Sequence, residues 1–111
     1  MGKKKTILID LDGVLNSYRG IFDKNIIPKP KQGVEHFLKE LSKNANLHLF
    51  TTREINLVAE WLKDNNLEQY FISITNKKLP AYLYIDDRAI CFKGNYDKTL
   101  NEIKDFQVYW Q

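Results

Sequence analysis

The chain has 111 residues, which suits one domain with one core and leaves no room for a second of ordinary size. With 43% apolar and 13% aromatic residues, three prolines and five glycines, the composition is that of a folded globular protein and excludes a disordered or fibrous one. Seventeen Lys plus Arg against fourteen Asp plus Glu leave a net charge of +3, compatible with an anionic substrate but far from the concentrated charge of a dedicated nucleic-acid binder.

The leader MGKKK carries no long apolar region of the signal-peptide kind, and no run approaches the roughly 18 residues of a membrane span. Gly2 and Thr6 fit the M-G-x-x-x-[ST] lipidation pattern, but Thr6 opens the first strand and leaves no flexible tail, so GKKK reads as a solvated leader. A single cysteine, Cys91, excludes an internal disulfide, and with His36 and His48 it gives no zinc-ligand spacing. A soluble protein of the reducing cytoplasm, with no membrane partner, is expected.

Residues 6–10 predict a buried strand, a short Ile/Leu run bounded by lysines and a glycine turn. Residues 13–31 show no sustained period. They mix turn residues with Ile21, Phe22, Ile26 and Ile27, and predict a compact excursion such as a small hairpin or flap. Val34, Phe37, Leu38 and Leu41 form the stripe of an amphipathic helix that ends at the Asn-Ala-Asn of residues 44–46.

Residues 47–51 then predict a second strand, and Ile55, Val58, Ala59 and Leu62 a second helix stopping near Asn65 and Asn66. A short strand is expected over 70–74, another over 81–85 after Pro80, and a brief extra one over 89–92. Asn95 can cap a last helix with Leu100 and Ile103 on its inner face. Strands alternating with helices at this spacing predict an α/β fold, a parallel sheet with helices on both faces.

The polar residues of interest fall at strand ends, where open parallel sheets bind ligands. Asp10 and Asp12 leave the first strand, Thr51 and Thr52 the second, Lys77 and Lys78 precede Pro80, and Asp86 and Asp87 leave the strand at 81–85. Residues i and i+2 of an extended segment point to one side, so Asp10 and Asp12 can face one ligand. Such a crowd of carboxylates repels itself unless a hard cation sits in it; carboxylates, water and a substrate phosphate are the usual Mg²⁺ surroundings.

The motifs ILIDLDGVLNS, LHLFTTR and TNKKLPAYLYIDDRAI resemble, in order and over most of the chain, those of the haloacid dehalogenase-like (HAD) superfamily, especially its small phage and bacterial hydrolases. The resemblance implies a three-layer Rossmann-like fold and a Mg²⁺-dependent phosphomonoester hydrolase. Asp10 would be the nucleophile, forming an aspartyl-phosphate, and Asp12 the general acid and then base. Thr51 would donate to a phosphoryl oxygen and Lys78, or Lys77, would neutralise charge on the transferring group. Asp86 and Asp87 would hold the metal together with Asp10 and the main-chain carbonyl of Asp12.

No segment is long enough for the cap domain that many such enzymes close over small substrates, so residues 13–31 supply only a flap. An open site admits a phosphate on a small molecule or on a larger one, nucleic acid entering only as a substrate, or takes an oligomeric or other partner as its lid. Thr52, Arg53, Arg19 and Arg88, with Tyr18, are candidates for substrate contacts. Thr51 and Thr52 can equally cap the second helix, His36 and His48 read as structural or exposed, and Trp61 reads as packing. Two other functions fit the acids: a phosphoacceptor receiver-like signalling domain, against which the order of the motifs argues, and a phosphate-binding module without turnover.

Overall fold

The computed structural model describes residues 4–111; Gly2, and with it the lipidation pattern, lies outside them. Among the described residues the chain forms four strands and three helices: β1 (Lys5–Asp10), α1 (Val34–Ser42), β2 (Ala45–Phe50), α2 (Ile55–Asp64), β3 (Ser73–Thr75), β4 (Leu83–Ile85) and α3 (Tyr96–Lys104). All strands are parallel, in the order β3-β2-β1-β4, an α/β arrangement compatible with a Rossmann-like fold. The chain winds outward from β1 through β2 to β3 and then returns to the far side of β1. That reversal puts a crevice at the carboxyl ends of β1 and β4.

The core explains the central strands. Ile7, Ile9, Leu47 and Leu49 point to one face and are sealed there by Val34 and Leu38 of α1 and Val58 and Leu62 of α2. Each such side chain is worth about 1.5–3 kcal/mol of burial. Leu11 and Leu15, just past β1, join the same cluster and fix where the chain turns. Glu54 caps α2 by accepting from the Leu57 N–H at 2.8 Å, a role the sequence left open to Thr51 and Thr52. Asn66, with φ of 58°, ends α2 in the left-handed region, as its Asn-Asn pair predicts.

Three expectations are revised. Both α1 and α2 cover the same face of the sheet. By alternation Leu8, His48 and Phe50 look out on the other. The helix expected to cover that second face, α3, forms where Asn95 starts it, the Asn95 side chain accepting from Lys98 N–H at 2.9 Å, but buries none of its residues. Leu100 and Ile103 are 58% and 56% exposed, not inward-facing. Residues 89–92 form no strand, because β4 is already the sheet edge and nothing pairs with them. The strand expected over 70–74 is Ser73–Thr75; Glu68–Tyr70 instead form a 3₁₀ turn, ahead of the point where pairing to His48 begins.

The 13–31 excursion is hairpin-like at its base, as expected. Asn16 and Pro30 form an antiparallel bridge, and Ser17 N–H donates to the Lys29 carbonyl at 2.9 Å. Its tip, with Ile21, Phe22 and Ile26, is exposed. The indole of Trp61 donates to the Pro28 carbonyl at 3.2 Å, so it packs and also ties the excursion to α2. His48 meets the Ser73 hydroxyl at 2.6 Å and His36 is exposed, in line with the expected structural or exposed placement.

Candidate functional site

The strand register assembles the acids. Ile9 lies opposite Ile85, so Asp10 and Asp86 are the next lateral pair, and Asp87 follows. One carboxylate oxygen from each of Asp10, Asp86 and Asp87 lies within 4.8 Å of the others. Burial of Asp10 and the charges of Asp86 and Asp87 push its carboxyl from 3.8 up to about 8, against the opposing pull of the Leu11 backbone N–H. The donor set consists of three carboxylates without histidine or thiolate, which suits a hard divalent cation such as Mg²⁺.

Each acid is also tied to the protein. Asp86 accepts from the Arg88 backbone N–H at 2.8 Å, and Asp87 accepts from the Trp110 indole N–H at 2.6 Å. Gly13 completes the close packing: its φ is +85°, and a Cβ there would lie 2.1 Å from an Asp87 carboxylate oxygen. The glycine of the D-x-D-G motif thus makes room for an acid far along the chain.

Asp12 does not join the three. Its carboxylate is gripped by Arg53, whose Nε and Nη2 donate at 2.8 and 3.2 Å, and by the Asn16 amide at 3.0 Å. Asn16 is fully buried, and its amide oxygen also accepts from the Gly13 and Tyr18 N–H groups. Arg53, expected to meet substrate, is instead 4% exposed. Its remaining nitrogen donates to the Asp23 carbonyl at 2.7 Å and its guanidinium stacks over Phe22. It latches the tip of the excursion to the end of β2, so its donors face the protein and not the crevice.

Thr51 is 2% exposed at the end of β2, one step beyond the Asp10–Phe50 pair, and its hydroxyl accepts from Arg53 N–H at 3.0 Å. That leaves the hydroxyl proton free to donate. Thr52 is exposed ahead of α2. Lys78 lines a cavity of about 720 Å³ together with Asp10 and Asp86, its ammonium over the Tyr84 ring. Lys77 is outside that lining; its backbone N–H closes a turn onto the Thr75 hydroxyl. The neighbouring lysines are thereby distinguished, which spacing alone could not do.

Arg19 and Arg88 both border a cleft with Trp110. Arg88 lies over the rings of Tyr18 and Trp110, which themselves meet edge to face. The residues overlooked in the sequence are Asn16, Tyr109 and Trp110. Tyr109 donates from its hydroxyl to the Gly13 carbonyl, so the segment after α3 straps the acidic loop from outside. Its legible trace is the cluster of Phe106, Val108, Tyr109 and Trp110 after the last helix.

No family model matches the chain, and no curated protein matches it. It is similar over 96% of its length to a solved structure described as the structure of the conserved protein coded by locus from Bacteroides thetaiotaomicron, with 25% identity, 95% of that chain covered and a TM-score of 0.62. That likeness spans the whole sheet and names no activity.

Proposed function

We propose that the protein is a Mg²⁺-dependent phosphomonoester hydrolase of the haloacid dehalogenase-like kind, working through an aspartyl-phosphate on Asp10. The observation that carries this reading is the close approach of Asp10, Asp86 and Asp87, with Lys78 lining the same cavity as Asp10 and Asp86. Three carboxylates share one rim, and the cavity next to them offers an ammonium to an anion. Asp10, Asp86 and Asp87 would hold the ion. When bound, it would offset their charge and that of a phosphoryl group.

In the first step an Asp10 carboxylate oxygen forms a bond to phosphorus while the bond to the leaving alcohol oxygen breaks, and Asp12 gives that oxygen a proton. In the second, water attacks phosphorus, passes a proton to Asp12, and the Asp10–phosphorus bond breaks to release phosphate and the free carboxylate. Lys78 and the Thr51 hydroxyl stabilise the charge on the transferring group. Arg53 and Asn16 orient Asp12, and one of their contacts must open for a proton to pass.

That last requirement favours a second reading, a phosphate-binding module without turnover, in which the Arg53–Asp12 pair is purely structural. The two are separated by assaying phosphate release from a panel of phosphomonoesters with and without Mg²⁺. The hydrolase predicts Mg²⁺-dependent release that Asp10→Asn abolishes. Release that survives Asp10→Asn removes the nucleophile, and Mg²⁺ and phosphate binding without release supports the module.

A further inference from the structure

The turn after β4 divides its charges. Asp86 and Asp87 belong to the acidic rim, while the next residue, Arg88, holds its guanidinium 5.8 and 5.5 Å from the rings of Tyr18 and Trp110. Trp110 joins the two: its indole N–H donates to Asp87 at 2.6 Å, and its ring lines two clefts of about 530 and 410 Å³. Neither cleft shares a lining residue with the cavity that holds Lys78.

These clefts are cationic. Arg19 borders both, Arg88 the larger and Lys31 the smaller, and no Asp or Glu side chain lines either. Among the described residues neither arginine is in an ion pair. Their placement is built into the fold. At Gly20, with φ of +102°, a Cβ would lie 3.2 Å from the indole, so the first limb of the 13–31 excursion passes directly against Trp110 and brings Arg19 to the cleft. Lys31, where the excursion ends, sits 5.0 Å from the Tyr109 ring. A guanidinium held by ring contacts keeps N–H donors for an anion, in the fork that suits phosphate.

A cationic cleft thus stands one indole away from the carboxylates. In the chemistry proposed above, the rim takes the phosphoryl group that is removed, and the rest of the substrate lies outside it. We infer that the Trp110 cleft is the leaving-group subsite, and that the preferred substrates carry a second phosphate there, held by Arg19 and Arg88. The identity of the leaving group rests on that hydrolase reading; the second phosphate rests on the cleft alone. A monophosphate gains nothing from the two arginines, so discrimination falls between a bisphosphate and the monophosphate of the same carrier.

Calorimetric titration of Asp10→Asn with Mg²⁺ present, a variant in which the proposed chemistry does not turn over, compares two matched pairs: adenosine bisphosphate with adenosine monophosphate, and fructose bisphosphate with fructose monophosphate. The bisphosphate of at least one pair is expected to bind about tenfold tighter than its monophosphate. The pair that shows this identifies the carrier as nucleoside or sugar. Adding Arg19→Gln and Arg88→Gln should bring the ratio to about one. Both residues are exposed, and the Asp86 contact uses the Arg88 backbone N–H, so an unchanged circular dichroism spectrum is expected. Equal affinities in both pairs overturn the inference, as does a preference that survives loss of both arginines. Mg²⁺-dependent phosphate release by the wild-type protein separates the two claims: a preference without release keeps the subsite and removes the hydrolase, and release without a preference does the reverse.

Discussion

Replacing Asp10 with Asn should stabilise the metal-free protein, the reverse of what removal of a site residue does in a satisfied network. Asp10 is held at about 8 by burial first and then by Asp86 and Asp87. An acid raised in the folded state makes folding take up a proton. The stabilisation is complete below the ordinary value of 3.8 and is lost as pH rises toward about 8. At ~1.4 kcal/mol per pH unit, the interval between those values caps the cost of charging Asp10 at about 6 kcal/mol. Water at the half-open rim screens the neighbouring carboxylates, so the expected penalty is about 2 kcal/mol. Thermal unfolding in chelator at about pH 9 should therefore place Asp10→Asn about 8 °C above wild type, with the gap closing near pH 4. Adding Mg²⁺ at the higher pH should raise wild type and leave the variant nearly unmoved. Equal melting temperatures in chelator at both pH values would refute the reasoning, as would a destabilised variant.

Arg53→Ala should cost about 3–5 kcal/mol in denaturant unfolding, because it leaves Asp12 without its buried partner and unlatches the 13–31 excursion; protease should then cut that excursion first. Gly13→Ala should cost about 1–3 kcal/mol through the strained positive φ and, by pushing Asp87 aside, weaken Mg²⁺ binding in a calorimetric titration. If the proposed hydrolysis is observed, Lys78→Ala should lower its rate by about 10²–10³-fold while Lys77→Ala changes it less than about twofold. An equal loss in both would contradict the separation of the two lysines.

The central strands were legible because burial imposes itself on sequence: Ile7 to Ile9 is an apolar run too short for a helix, Leu47 and Leu49 alternate about His48, and the two segments lead to Asp10 and Thr51. The site was legible for the same reason. In a parallel sheet, strand ends converge on one edge, so Asp10, Thr51 and Asp86 could be placed together without knowing the loops. Edges were harder. The strand at 73–75 is three residues long and is defined by its partner's register, which no local pattern carries. Leu100 and Ile103 announce an apolar helix face but not what it meets.

Arg53 shows a different blindness. As a charged residue after a strand it is indistinguishable from a phosphate contact, until the excursion brings Asp23 and Phe22 around it. Asp12 was expected beside Asp10 from the period of two, but the chain leaves extended geometry after Asp10 and the Asn16-centred turn carries Asp12 to Arg53. Trp110 and Asp87 meet from irregular backbone on either side of α3, where pairing is set by tertiary packing alone.

Titrating Mg²⁺ into the protein near neutral pH by calorimetry, in two buffers of different ionisation enthalpy, tests the carboxylate rim most directly. Binding that releases a proton from Asp10, and that is lost in Asp86→Asn with Asp87→Asn, is the predicted result. Absence of Mg²⁺ binding, or binding of equal strength in that double variant, would contradict it.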